Sequence, residues 1–275
     1  MKGIAGLLAV AVLLSLTVLG ASSPTPRTFP KHVLAWADVR NGYQHDSITH
    51  ALSTIERLGW ESGVYDTIIR TDSQPITKSP ILFKQGTGIA TGADFLARNL
   101  DYFDAIFFFG VREIDLDARQ KADLLRFVHD DGKGFVATHA AVTAFFSSPE
   151  FGDMLGARFD EHPWDITEAT VVVEDRTSPM TRHLPASFAV TDEHYQLKDV
   201  SRDKVHVLAT LDASKLDLKA PLVHRQDRDF IAAYTKTYGK GRVFYSTLGH
   251  PRELWDEPWM QTMYFEALKW AMRVP

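Results

Sequence analysis

From residue 32 onward the chain alternates between short unbroken apolar runs and longer stretches with helical periodicity. His32–Trp36 (HVLAW) has the length of a buried strand. From Asp46 to Leu58 the apolar positions fall on one helical face, with Ile48, Leu52, Ile55 and Gly59 in line, which predicts an amphipathic helix. A second strand is expected at Ser62 to Tyr65. The polar stretch with Pro75, Pro80, Gly86 and Gly88 reads as loop. Ala105–Gly110 (AIFFFG) shows no alternation, as a central strand covered on both faces requires. Asp117 followed by Gln120 is a capping-box pattern, and Leu124, Leu125, Phe127 and Val128 carry that helix toward Gly132 as its stop. Gly134–Ala137 then opens another strand.

The second half is richer in strands. Ala169–Val173, Ser187–Val190, Lys204–Ala209, Phe230–Thr235 and Arg242–Thr247 all have strand length and composition. Tyr238-Gly239-Lys240-Gly241 predicts a hairpin turn between the last two. Its G-x-G leads into a strand rather than a helix, so it is no phosphate cradle. A closing helix is expected from Pro258 to Met272, with Met263, Leu268 and Trp270 in the core. Strand, helix, strand, helix, strand predicts an α/β protein: a parallel sheet with helices on both faces, and extra strands in the C-terminal half.

The segment before residue 32 has a different pattern. A positive start at Lys2, an apolar run from Ile4 to Leu19, then Gly20, Ala21, Ser22, Ser23 and Pro24 have the anatomy of a signal peptide. The division expected is signal peptide 1–22, linker 23–31 and one domain over 32–275. That places the mature protein in the periplasm or outside the cell, with no stable membrane anchor after cleavage. The chain has no cysteine, which excludes disulfides, zinc–thiolate sites and thiol nucleophiles. Its formal net charge of −5 gives no basic footprint for nucleic acid.

In open α/β sheets ligands bind beyond the carboxyl ends of the parallel strands. His45, in the loop after the first strand, and His139, at the tip of GKGFVATHAA, should face one such rim. His162 (FDEHPW), the run Asp192-Glu193-His194-Tyr195 and His250 (STLGHP) fall where strands give way to loops. Histidine and carboxylate together suit proton transfer near neutral pH, and both are also good ligands for zinc-like ions. No H-E-x-x-H or G-x-S-x-G is present. Tyr43, Trp164, Tyr195 and Trp255 lie in or beside the same loops, an aromatic company that fits a carbohydrate pocket.

The motifs YQHDSI, GKGFVATHAA, GARFDEHPW, TDEHY and YGKGRVFYSTLGH, in this order, resemble those of the ThuA-like (trehalose utilisation) family. The resemblance runs from about His32 to Trp270. It implies a flavodoxin-like sheet related to class I glutamine amidotransferases, and a role in sugar metabolism linked to oxidised (3-keto) glycosides. His45, His139, His162, Glu193 and His250 match the family's motif positions. Lys133 and Thr138 depart from a stretch that is usually glycine and a smaller residue, so Thr138 is expected to narrow the site or add a hydroxyl. His139 falls near the amidotransferase cysteine, so amidotransferase activity is not implied.

The resulting expectation is an exported lyase, hydrolase or isomerase acting on a sugar or keto-glycoside. His139 and Glu193 are expected to transfer protons. His45, His162, Trp164, Asp192, Tyr195, His250 and Trp255 are expected to bind substrate. The cofactor reading allows a divalent metal such as zinc on His45, His139 and Glu193. A small-molecule carbohydrate is the partner expected. A non-catalytic carbohydrate-binding protein and a metal-dependent hydrolase of another small molecule stay open as alternatives.

Overall fold

A computed structural model of the chain describes residues 27–83 and 95–275. The expected signal peptide, the first four residues of the linker, and Gly86 and Gly88 lie outside the described residues. In chain order the first half contains β1 (His32–Trp36), α1 (Ser47–Ser62), β2 (Asp66–Arg70), the small pair β3 (Ile81–Phe83) and β4 (Phe95–Ala97), β5 (Ala105–Phe108), α2 (Ala118–His129) and β6 (Gly134–Thr138). The second half adds α3 (Pro149–Leu155), β7 (Arg158–Glu161), β8 (Ile166–Val173), β9 (Ser187–Glu193), β10 (Gln196–Lys198), β11 (His206–Leu211), β12 (Ile231–Tyr238), β13 (Gly241–Ser246) and α4 (Pro258–Ala271).

The main sheet has nine strands in the order β2-β1-β5-β6-β13-β12-β11-β8-β9. The first five are parallel, and their order is the flavodoxin-like one. The next four join antiparallel. Two pairs of reversals bring β9 back to the direction of β13, so its carboxyl end reaches the same rim as those of β1, β5, β6 and β13. Apolar residues of α1 and α4 cover one face, and those of α2 and α3 cover the other. That two-sided burial explains why β5 and β6 carry no alternation: every residue of both strands is buried.

The α/β expectation, with helices on both faces and extra strands in the C-terminal half, holds. Several boundaries change. The strand expected at Ser62–Tyr65 is instead the end of α1 and a turn. Gly63 adopts a left-handed φ of 73° and its N–H bonds back to Gly59 O, so β2 starts only at Asp66. The capping box of Asp117 and Gln120 forms, but α2 ends at His129, before Gly132. The loop around Pro80 contains the β3–β4 pair. The hairpin at Gly239-Lys240 forms between β12 and β13. On α4, Met263 and Leu268 are buried, whereas Trp270 sits half-buried at the edge with the Arg242 guanidinium over its ring.

Candidate functional site

Four of the strand ends converge on one cluster of side chains. β6 ends at Thr138, and His139 turns the chain with a left-handed φ of 44° into a short 3-10 turn. A non-glycine residue in that region is strained and persists only where its surroundings hold it. Here the His139 Nδ1–H donates to Thr247 O at 2.8 Å, and Tyr245 Oη donates to His139 O at 2.8 Å. Both anchors come from β13 and the residue following it. With Nδ1 held by that carbonyl, Nε2 is the nitrogen that faces the cluster.

Around that Nε2 lie Tyr195 Oη at 2.9 Å, His250 Nδ1 at 3.1 Å and Glu193 Oε2 at 3.3 Å. His250 Nδ1 and Glu193 Oε2 are themselves 3.1 Å apart. His139, Glu193 and His250 thus present a nearly equilateral triangle of donor atoms. Ligands about 2.0–2.1 Å from a tetrahedral zinc lie about 3.3–3.4 Å from one another, so the triangle has the size of one face of such a site. His45 adds a fourth ligand atom, and all four fall within 4.8 Å of one another. His45 sits just before α1, is 8% exposed, and its Nδ1 has no hydrogen-bond partner. A buried imidazole with an unpaired nitrogen, set among three other such side chains, fits a cation.

The electrostatics favour a cation at His45 and Glu193 and run the other way at His250, whose proton a cation would have to displace. Burial, followed by the charges of His139 and His250, pushes His45 down to about 3, which keeps it in the neutral, ligating form. Burial pulls Glu193 upward, but hydrogen bonds from His139 and His250 outweigh it and hold the carboxyl well below its usual range. Burial would lower His250, yet the hydrogen bond and charge of Glu193 raise it.

The cluster forms the floor of a cavity of about 680 Å³. His45, Glu193, Tyr195 and His250 line it, together with Tyr43, His162 and Asp165. His162 Nδ1 lies 3.2 Å from an Asp165 carboxylate oxygen and 3.9 Å from Glu193 Oε1. Tyr43 is exposed at the mouth, its ring 4.8 Å from that of His45.

Other expected site residues sit elsewhere. His139 is fully buried beneath the cavity and meets it through Tyr195, Glu193 and His250, which line it. Asp192 is also fully buried. Its carboxylate accepts the backbone N–H groups of Glu193, Gly249 and His250 at 2.8, 2.7 and 3.0 Å, so it ties the backbone of β9 to that of the loop after β13. Trp255 is buried under the same loop, donating from Nε1 to Gly249 O, and Trp164 packs against Phe230 and donates to Asp217 O. His194 is buried with Nε2 near Thr167 O and Val190 O. Thr138 does not narrow the site: its hydroxyl donates to Leu248 O and accepts from Tyr264 Oη, below the cavity. Arg112, Thr143 and Phe159 line the cavity and were not expected. Arg112 follows the end of β5, where the strand-end rule alone points to it.

The sequence profile of the ThuA family, described as trehalose utilisation, matches residues 32–271. No curated protein matches the chain. The chain is similar to a ThuA-like protein from Bacteroides uniformis, at 18% identity and a TM-score of 0.68 over 92% of this chain and 95% of that one. It is also similar to a ThuA-like protein from Parabacteroides merdae, at 16% identity and a TM-score of 0.65, covering 88% and 90%. A β-galactosidase from G. stearothermophilus shares the fold over 89% of this chain but only 30% of its own length, at 14% identity and a TM-score of 0.52. ThuA-like proteins have a glutamine-amidotransferase-like fold, and this sheet is of that kind. The chain belongs to the ThuA family.

Proposed function

We propose that this chain cleaves 3-keto-glycosides by proton abstraction beside the keto group, at a site that holds a divalent cation on His139, Glu193 and His250 with His45. The observation that carries the reading is the donor triangle with edges of 3.1, 3.1 and 3.3 Å at the floor of the cavity. Zinc or a similar ion there supplies Lewis-acid stabilisation of the negative charge that develops on a carbonyl oxygen.

The chain's own residues supply the rest. A ketone at C3 acidifies the C2–H bond. His162 lines the cavity outside the four-residue cluster, and Asp165 beside its Nδ1 orients it. An imidazole that faces the substrate is a suitable base, whereas Glu193 is held well below the usual carboxylate range and is a poor one. We assign His162 the C2 proton. The C–H electron pair becomes the C1=C2 double bond, the C1–O bond breaks, and the departing oxygen takes up the proton. Water then adds across the double bond and returns the free 3-keto sugar. Tyr43 and Tyr195 offer aromatic surface for the ring. The apolar leader we read as an export signal, which places this chemistry in the periplasm or outside the cell.

The test is the zinc-loaded protein with methyl 3-keto-glucoside in heavy water. Methanol release with deuterium at C2 is expected, and both should fall about 100-fold or more in His162→Ala. If no keto-glycoside is consumed, or His162→Ala and Glu193→Gln both match the parent, the enzymatic reading fails and a binding role replaces it.

A further inference from the structure

We infer that a second cavity beside the first is the leaving-group subsite, and that it takes a neutral, hydroxylated six-membered ring. The inference deepens the keto-glycoside reading and rests on it for the identity of the bond that breaks. The second cavity measures about 330 Å³, and Arg112, Thr143 and Phe159 wall both it and the 680 Å³ cavity over the donor triangle. A ligand that extends from the first cavity along Arg112 reaches the second. Asn41, Phe146 and Lys198 line only the second.

Phe146 is the key observation. It is 47% exposed, whereas Phe145 before it is buried. The 3-10 turn that begins at His139 ends in Ala144-Phe145, where Phe145 takes a left-handed φ of 47° and drives its ring into the core. That conformation leaves the next side chain, Phe146, facing outward. Phe145 N–H donates to Arg112 O, and Arg112 N–H donates to Thr143 Oγ1, so the segment displaying Phe146 is stitched to the one displaying Arg112. Arg112 has its own left-handed φ of 61°. The Lys198 ammonium and Arg158 guanidinium lie 5.2 and 5.6 Å from the Phe146 ring centre, which hold the ring while nearly half its surface stays open.

The charges decide what kind of ring fits. Arg112 and Lys198 form no salt bridge among the described residues, but the lining also carries the carboxylates of Glu113 and Asp160. A mixed lining of both signs penalises an aglycone of either net charge and offers donors and acceptors to hydroxyls. An aromatic face with alternating donors and acceptors around it suits the C–H face and hydroxyl rim of a sugar ring.

The experiment compares methyl 3-keto-glucoside with a 3-keto-glucosyl-glucose disaccharide in the zinc-loaded parent and Phe146→Ala. The variant should raise KM for the disaccharide about tenfold and leave kcat and both constants for the methyl glycoside within about twofold. Because Phe146 is exposed, its melting temperature should match the parent's, which separates lost binding from lost fold. Equal changes on both substrates, or none on either, overturn the subsite. Calorimetric binding of the unoxidised disaccharide and of methyl glucoside supplies a second reading independent of turnover. If neither keto substrate is consumed, the cleavage chemistry fails. The subsite then stands only if Phe146→Ala weakens disaccharide binding about tenfold and spares methyl glucoside, and it falls otherwise.

Discussion

Asp192 shows how much of this site depends on one side chain that never meets the pocket. Its carboxylate is fully buried, burial raises its pKa, and it accepts three backbone N–H groups from two of the three segments that carry triangle donors. Outer-shell partners of this type set ligand orientation, and their loss costs about 10–100-fold in metal affinity. Asp192→Asn should therefore weaken zinc binding by about 10–100-fold, measured by competition with a chromophoric chelator, with the far-ultraviolet circular dichroism unchanged. An unchanged affinity sinks the positioning role. Gly249 is the second such residue. Its φ is 133°, and a Cβ there would meet Thr138 Oγ1 at 2.9 Å and Trp255 at 3.3 Å. Gly249→Ala should cost about 1–3 kcal/mol in chemical denaturation and displace the His250 donor as well. Residue types were readable as chemistry from sequence, as with the five motif positions at His45, His139, His162, Glu193 and His250. Their depth was not: nothing in TDEHY says that Asp192 points inward at three amides while Glu193, one position on, points into the cavity. Alternation along β9 accounts for the difference, but only once its register and neighbours are known.

At the level of elements, the sheet is pinned at the end opposite the site. Asp104 precedes β5 and accepts from His32 N–H at 3.0 Å, Lys133 Nζ at 3.2 Å and Lys31 Nζ at 3.3 Å. Three strands meet there, because its backbone also bonds to His32 O and Gly134 N. Burial raises the Asp104 carboxyl, but the His32 amide and the two lysines outweigh it and lower its pKa. A depressed carboxylate stabilises the fold above its unfolded pKa, about 3.9, and loses that contribution as pH falls through its lower folded value. Asp104→Asn should cost about 1–2 kcal/mol at pH 7 by urea unfolding, and the gap from the parent should close below about pH 4. A gap that is constant with pH contradicts the assignment. The parallel half of the sheet was legible because AIFFFG and GFVAT need two covered faces, and because the Asp117–Gln120 capping box is local. Among the elements that escaped, α3, β7 and β10 are short, and their sequences are mixed. β7 and β10 pair only with each other, through a register shift at Gln196, so no run of periodicity marks them. The boundary of β2 moved for a related reason: Val64 and Tyr65 look like strand, but Gly63 spends them on leaving the helix.

At the scale of the whole molecule, the four donors draw together parts of the chain more than 200 residues apart. His45 lies after β1, His139 after β6, Glu193 at the end of β9 and His250 after β13. β9 is an edge strand of the nine-stranded sheet, four strands away from β13, yet Glu193 and His250 touch. An ion bridging them therefore links the antiparallel edge to the parallel centre, and that link exists only in the folded state. A ligand that binds only the native state stabilises it by an amount set by its concentration relative to its dissociation constant, about 4 kcal/mol at a thousandfold excess. For a domain of this size each kcal/mol moves the melting temperature by roughly 2–4 °C, so zinc should raise it by about 8–16 °C over chelator-treated protein. In Glu193→Gln the rise should shrink to a small fraction, because the triangle loses its anionic corner and its tie to β9. Hydrogen exchange gives the spatial check: zinc should slow amides at the carboxyl ends of β9 and β13 more than those at the Asp104 end of the sheet. A parent whose melting temperature ignores zinc, or a Glu193→Gln variant that gains as much as the parent, removes the cation from these four residues and leaves the cluster as a hydrogen-bonded network alone.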